Sequence, residues 1–586
     1  MDRTQSQWLI DKREAVAEHG MVTAMHPLAA QAGLDTLRSG GKAVDAAVAT
    51  AFAIGVVEPF MSGVGGVAAM VIYTQRTGET VVVDGSSFAP ACARDDMFEL
   101  APAGSVGGMY GWRATVNDQQ NTGYRAPIVP GQPACLLHAL ERYGSGRLTR
   151  ADVMAPAIRL AEEGFLVDPY PAQTIAFAMR RLRAFPETAR TFYHADGTPL
   201  LPASLSKGAD LLAQPDLART LRLLAEQGGD AFYRGEIGER IVADLQSHGG
   251  LLACEDLASY QIREFSPGLV QKYRDYTLVG VPLTSGCATT FEALSILENF
   301  DLTALGRATI QTTHLIAEAC RRAFLDRFAY LVDPASREAP FEGVLSKAYA
   351  AERAADIRLD RADPDAQPGD PWRFQPADDQ AMTGARGGKA PSGSPVAGGE
   401  TCTTHLTVVD ADRNVVSLTS TLGELFGCGV IPRGTGLLLN NGMTWFDPEP
   451  GHLNSIKPGK RILWAVSPTI VLKDGRPLLG IGAPGARRIM SAIVQSLVNV
   501  LDFGSGIQDA VSAPRVHCEG PVTQAEARLD PAVLAGLATL GHRLQVIEET
   551  SNSFSFARPN GIFINPETNQ LAGGVNQFVP ASAMGY

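Results

Sequence analysis

The stretch that decides the reading is GGETCTTHLTVVDADRNVVSLTSTLGELFG, residues 398 to 427, where a loose segment turns abruptly into a strand pattern. Two β-branched runs, Thr403–Val409 and Val415–Thr421, flank the polar Asp410–Asn414, a turn of a length common in β-hairpins. The tetrapeptide Thr403-Thr404-His405-Leu406 is no signature by itself. The same letters recur at Thr312 to Leu315, where they open a helical pattern. Centring the hairpin on Asp412 sets Thr403 opposite Thr421, so two hydroxyls face each other at the mouth of the ladder.

A threonine hydroxyl is a weak nucleophile until a base takes its proton. Cutting the chain before Thr403 would create such a base, because a free α-amine has a pKa of about 7.7 to 8.0 and would sit on the nucleophile itself. Two readings of the pattern stand side by side. Threonines are good β-formers and fill strands for that reason alone; or Thr403 is a nucleophile released by cleavage.

Upstream, residues 361 to 399 are rich in Pro, Gly, Ala and Asp and nearly free of β-branched side chains, which predicts a mobile segment. Further back, HPLAAQAGLDTLRSGGKAVDAAVATAFAIGVVEPF predicts two helices, with Pro27 in the first turn of one and a buried second one ending at Glu58-Pro59. VAAMVIYTQRTGETVVVDG predicts two strands, and GVGGVAA before it a tight turn. Residues 130 to 360 read as mostly helical, a shell over a sheet. After the hairpin, GLLLNN, SPTIVLKDGRPLLGIG and GIFINPETNQLAGG predict further strands around one helix, ARRIMSAIVQSLVNVLDF, in a sheet continuing the N-terminal one.

The whole chain of 586 residues is 45% hydrophobic and 19% charged, with 60 Gly and 37 Pro, the make-up of a turn-rich globular enzyme. A formal net charge of -12 argues against a nucleic-acid partner. The longest apolar run contains Asp45 and is short of the roughly 20 residues that cross a bilayer, so no membrane partner is expected. Eight cysteines without CxxC spacing, and a start without a secretory pattern, lead us to expect reduced thiols and a cytoplasmic protein. No zinc, P-loop or dinucleotide motif is present, so neither metal nor cofactor is expected. His517-Cys518 is too isolated for a metal site.

From AMHPLAAQAGLDTLRSGGKAVDAAVA through VPGQPA, VPLTSGCATTFEALSILENFDL, TTHLTVVDADRNVVSLTSTL, GTGLLLNNGM and SPTIVLKDGRPLLGIGAPGARR to GGVNQFVPASAMGY, the chain resembles the γ-glutamyltransferase family of N-terminal-nucleophile hydrolases. The resemblance runs nearly end to end and in order. It implies an α+β fold, the four-layer αββα sandwich, built as one large unit from two autoproteolytic fragments. These would be a large subunit 1–402 whose tail 361–402 is mobile, and a small subunit 403–586. They would form an αβ heterodimer, alone or in a higher homo-oligomer, acting on a small-molecule amide.

The resemblance also implies cleavage between Cys402 and Thr403, with Thr403 as nucleophile and Thr421 as its supporting hydroxyl. The oxyanion donors would be the amides of Gly485 and Ala486, the latter in place of a family glycine. The substrate-binding positions have all changed. The family's Arg falls on Ser86, its Asn on Gly423, its Gln on Gly442, its Asp on Trp445 and its Ser-Ser pair on Trp464-Ala465. Losing charge-assisted partners worth roughly 1.5 to 3 kcal/mol each would cost a γ-glutamyl zwitterion most of its affinity. The expected activity is therefore self-cleaving amide hydrolysis or acyl transfer with altered acyl specificity, like the cephalosporin-acylase-like and oxamate-amidohydrolase-like branches. Ordinary γ-glutamyl transfer or glutathione hydrolysis is the alternative, and an uncleaved binding protein a third reading. A short HLNSIKPG segment predicts an open cleft without a lid. Glu424 is read as a carboxylate for an amine or as a solvent-facing side chain, Arg487-Arg488 as an anion attractor or surface pair, and His405 as packing rather than a base.

Overall fold

The computed structural model describes residues 10–376, 402–551, 553 and 555–586. The two predicted N-terminal helices form as Pro27–Arg38 and Ala43–Val57. Pro27 stands in a first turn whose N–H groups have no helical partner, and His26 accepts the Leu28 N–H there at 3.2 Å. Asp45 does the same for the second helix by accepting the Lys42 N–H at 2.7 Å. That second helix is apolar on nearly every side, and all but Gly55 of its residues are buried.

Two seven-stranded sheets carry the fold. One runs Ser582–Gly585, Met21–Ala24, Thr404–Val409, Val415–Thr421, Val67–Thr74, Glu79–Gly85, Arg263–Phe265. The other runs Ala15–Ala17, Leu571–Val575, Asn560–Ile564, Arg476–Gly482, Thr469–Lys473, Tyr276–Gly280, Leu269–Tyr273. Every pairing within both is antiparallel. C-terminal strands thus do more than extend an N-terminal sheet, since strands from both sides of residue 402 enter each sheet.

Alternation along the strands sorts the cores. Leu406, Val408, Val416 and Leu418 point to the helices at Ala43–Val57, Gln132–Tyr143 and Arg150–Glu163. Val409, Val415, Val67 and Val71 point the other way, into a core shared with the second sheet and the helices Cys287–Leu297, Ile310–Tyr330 and Arg488–Leu501. The result is helix, sheet, sheet, helix. The helical stretch 130–360 divides between both outer layers instead of capping one sheet.

Two expectations change. GLLLNN is not a strand; apart from a bridge between Gly65 and Leu439 it is irregular and leads into the 3-10 turn Gly442–Trp445. Residues 361–376 are not a mobile tail. Asp326 accepts the Gly369 N–H at 2.8 Å, Arg353 donates to the Gln367 carbonyl at 3.1 Å, and Gln375 accepts the Gly343 N–H at 2.9 Å. The remainder of the segment expected to be mobile, 377–401, lies outside the described residues. Cys402, placed at the end of that tail, is buried. No helix among the described residues is long and apolar enough to cross a membrane.

Candidate active site

The hairpin has the predicted register, with Thr404 opposite Ser420 and Val409 opposite Val415. Its turn is held by Asp410, whose carboxylate accepts the N–H groups of Asp412 and Asn414 at 3.0 and 2.9 Å. The same carboxylate accepts the Ala43 N–H at 2.9 Å, tying the turn to the start of the buried helix. One residue beyond the ladder, Thr403 Oγ1 lies 3.1 Å from Thr421 Oγ1, and both side chains are buried.

The hydroxyls converge on the peptide bond between Cys402 and Thr403. Thr421 Oγ1 donates to the Cys402 carbonyl at 2.7 Å and accepts the Gly423 N–H at 2.9 Å, which fixes the hydroxyl's direction. Thr403 Oγ1 lies against the same carbonyl oxygen. A nucleophile next to a carbonyl that a second hydroxyl polarises is an arrangement for attack on that carbonyl. Behind it, the Cys402 thiol donates to the Met61 carbonyl at 2.6 Å. Burial pushes that thiol far above its ordinary pKa, so it stays protonated.

His405 is a packing residue. Its ring bonds Thr419 at 2.9 Å and Thr407 at 3.1 Å, and burial pushes its pKa down to about 3, leaving it neutral. The ring lies flat on Gly482, where a Cβ would meet it at 2.2 Å, so the facing strand must carry glycine there. That strand runs on into the turn Gly485-Ala486, placing it beside the hairpin's mouth. Gly485 has φ 142° and room for no Cβ, which would meet Ala557 at 2.5 Å. Ala486 adopts φ 48°, the left-handed region, at a cost of roughly 1 to 2 kcal/mol. Neither amide has a hydrogen-bond partner among the described residues, and the helix Arg488–Leu501 starts just after, its N-terminus adding positive potential.

The six positions expected to bind substrate are all buried. Ser86 is buried; its Oγ accepts from Arg263 at 3.0 Å, and its carbonyl accepts from Tyr260 at 2.8 Å and Arg461 at 3.3 Å. A Cβ on Gly423 would meet Asn441 Oδ1 at 2.1 Å, and one on Gly442 would meet Ile128 at 2.3 Å. Trp445, Trp464 and Ala465 belong to the core between the sheets and the helices, with the indoles 2% and 1% exposed. The Trp464 carbonyl accepts from the buried Arg327 at 2.8 Å.

The HLNSIKPG segment reaches the Gly442–Trp445 turn through Asn454, whose side-chain amide donates to the Trp445 carbonyl at 2.6 Å. Another segment covers the Gly442–Trp445 turn: Trp112 donates to the Thr444 carbonyl at 2.8 Å, and Gln120 to those of Met443 and Phe446 at 2.9 and 2.7 Å. Met109 donates its N–H to Glu424 at 2.6 Å. Glu424 is buried rather than solvent-facing and also accepts from Asn441 at 3.2 Å. Arg487 is no surface residue either, since it makes two bonds to Glu519 at 2.7 and 2.9 Å and lies 5.1 Å over the Tyr110 ring. Arg488 beside it is also buried, with no partner at its Nε among the described residues.

Sequence reasoning missed Asn440, Asn441 and Glu58. Asn440 stitches Gly65, Ile128 and Gly442 together, and Asn441 joins Glu424 to Asn121. The doubled asparagine inside an apolar run was the available signal. For metal, His314, Glu318 and His542 gather within 4.8 Å. They are already satisfied: the two rings bond each other at 2.8 Å, His314 bonds the Arg358 carbonyl at 2.8 Å, and Glu318 pairs with Arg322 at 2.7 Å. His517 bonds Ser491 at 2.8 Å and pairs with Glu519.

Comparison with known proteins agrees with this geometry. The gamma-glutamyltranspeptidase family model matches residues 29–585. An acylase ACY 1 proenzyme of Pseudomonas sp. (strain SE83) is 38% identical over 539 residues, 91% of this chain and 88% of that protein. A glutathione hydrolase proenzyme of Bacillus subtilis (strain 168) is 34% identical, covering 96% of this chain and 93% of its own. The crystal structure of cephalosporin acylase from Bacillus halodurans superposes with a TM-score of 0.84 at 30% identity, covering 100% of this chain and 99% of the other. A nucleophile hairpin in an αββα sandwich, with relatives matched over almost their full length, leaves one conclusion: the chain belongs to the gamma-glutamyltranspeptidase family of self-processing N-terminal-nucleophile amide hydrolases.

Proposed function

We propose that the chain cuts itself between Cys402 and Thr403 and then hydrolyses or transfers an acyl group other than the γ-glutamyl zwitterion, through an ester on Thr403. The observation that carries the first half is the meeting of Thr403 Oγ1, Thr421 Oγ1 and the Cys402 carbonyl within hydrogen-bond distance. Once cut, the Thr403 amine takes the proton of its own hydroxyl. The substrate carbonyl takes the place of the Cys402 carbonyl, and the amides of Gly485 and Ala486 receive its developing negative charge.

The second half rests on space. Side chains at Gly423 and Gly442 would meet Asn441 and Ile128 as these now lie, which supports a pocket without the family's grip on an α-carboxylate and α-amine. One observation favours ordinary γ-glutamyl chemistry, namely that Arg263 and Arg461 both reach Ser86, where the family has its arginine. Asp84 takes up the Arg263 charge, and Glu424 is occupied by Met109 and Asn441. We therefore rank that reading second.

The test is intact mass and a denaturing gel of the protein beside Thr403→Ala, followed by turnover of γ-glutamyl anilide against a panel of neutral and dicarboxylic acyl anilides. Cleavage before Thr403 with weak γ-glutamyl turnover is expected. Brisk γ-glutamyl turnover would favour the second reading, and an uncut wild type the binding-protein reading. The relatives' proenzymes support an αβ pair. All eight cysteines are unpaired, with Cys92 and Cys254 exposed, which supports a reducing cytoplasm as the place of work.

A further inference from the structure

The segment Glu58 to Met61, just past the helix Ala43–Val57, forms the bed on which the cleavage site lies. The Met61 carbonyl accepts the Cys402 thiol and the Leu422 N–H, and the Phe60 carbonyl accepts the Phe426 N–H. Into this bed projects the Glu58 carboxyl group, 1% exposed. Its Oε2 meets Thr404 Oγ1 at 3.5 Å, and its Oε1 is buried without a hydrogen-bond partner among the described residues. A carboxylate in such a place would be costly, whereas a neutral acid is tolerable.

Resting on the self-cleavage proposed above, we infer that Glu58 is a positioning residue for that step. Uncharged, it accepts the Thr404 hydroxyl, one residue past the bond to be cut. Ionised, it opposes the negative charge that develops on the Cys402 carbonyl oxygen. In the step itself, Thr403 Oγ bonds to the Cys402 carbonyl carbon, the hydroxyl proton ends on the Thr403 nitrogen, and the C–N bond breaks to leave an ester. Water then adds, the ester C–O bond breaks, and a Cys402 carboxylate, a Thr403 hydroxyl and a free amine remain. Each tetrahedral intermediate carries a negative oxygen on Cys402, two residues from the Thr404 hydroxyl that Glu58 accepts.

Other groups facing Glu58 leave it mostly protonated near neutrality. Burial pushes its pKa up to about 8; Arg558 and the Thr404 hydroxyl pull it down and Asp168 pushes it up. Tyr170, whose hydroxyl accepts from Arg558 at 3.0 Å, and the Cys402 thiol also face it, both held neutral by burial. Arg558 also donates to the carbonyls of Ser551 and Ser553 at 2.9 and 2.8 Å. Raising the pH through Glu58's pKa therefore places a negative charge beside the Thr404 hydroxyl and near the Cys402 side chain, the residues on either side of Thr403.

The test uses full-length precursor from cell-free translation, chilled before cleavage and shifted to buffers from about pH 6.5 to 9.5, with the fraction cut before Thr403 read on a denaturing gel. Glu58→Gln keeps the shape and cannot ionise. The ratio of its cleavage rate to that of the wild type is expected to rise roughly tenfold across that range. A constant ratio, whether near one or uniformly low, overturns the inference, because a purely structural side chain gives no pH dependence. Thermal melting of Thr403→Ala with and without Glu58→Gln shows that both fold. A wild type that stays uncut at every pH removes the self-cleavage reading and this inference with it; cutting with parallel profiles removes this inference alone.

Discussion

The hairpin Thr404–Thr421 and the loop that follows it, Leu422 to Trp445, are neighbours in sequence and are held by different means. Backbone ladders to Met21–Ala24 and Val67–Thr74 hold the hairpin from both sides. Side chains hold the loop, with Asn440, Asn441 and Glu424 bonding backbone groups far away in sequence. A ladder tolerates exchange of side chains, because its bonds belong to the backbone. A loop tied by amide side chains changes shape when they or their partners change. Placement of the Thr403 hydroxyl is thus insulated from changes in the loop, which can be reshaped while Thr403 stays put.

Four substitutions would break or sharpen that contrast. Thr403→Ala removes the nucleophile and is expected to abolish cleavage on a denaturing gel and to lower amide turnover by roughly 10⁴-fold or more. Fold and melting temperature should hardly move, since the ladder does not need that hydroxyl. Trp464→Ala should do the opposite, costing roughly 3 to 5 kcal/mol of stability in denaturant unfolding through an unfilled cavity. Were it to raise KM and leave stability intact, the indole would belong to the pocket and the contrast would fail.

Thr421→Val keeps the shape but removes the bond to the Cys402 carbonyl. Cleavage followed by mass spectrometry should slow by about 10² to 10³-fold, the range seen when one donor to a developing oxyanion is lost. Ala486→Gly has the smallest effect. It relieves the left-handed strain worth about 1 kcal/mol, offset by the freedom glycine regains in the unfolded chain, so melting should shift by a few degrees at most. A large loss would mean that the alanine methyl itself packs against substrate.

What could be read in the sequence follows the same division. The hairpin register was legible because it depends on a turn a few residues long and on strand alternation, both local. The helices from Pro27 to Val57 were legible from caps and apolar pattern. Residues 361–376 were not, because composition says nothing of the Asp326, Arg353 and Gly343 that fasten them. Nor was the burial of Glu424, whose partner Met109 lies far upstream. Glu58 closed an apolar run in plain view, yet its neighbour Thr404 is brought to it only by the fold.

The sheet order carries one more consequence. In the first sheet, Met21–Ala24 lies between Ser582–Gly585 and Thr404–Val409, and in the second, Ala15–Ala17 pairs with Leu571–Val575. Cutting before Thr403 leaves Ala15–Ala17 and Met21–Ala24 in one fragment, and Ser582–Gly585 in the other, with all their neighbours among the described strands on the opposite fragment. Folding of the precursor is unimolecular, whereas renaturing the cut enzyme requires a bimolecular encounter of two chains that share both sheets. Heat inactivation of the mature enzyme should then be irreversible at low protein concentration, and its lifetime governed by the rate of unfolding.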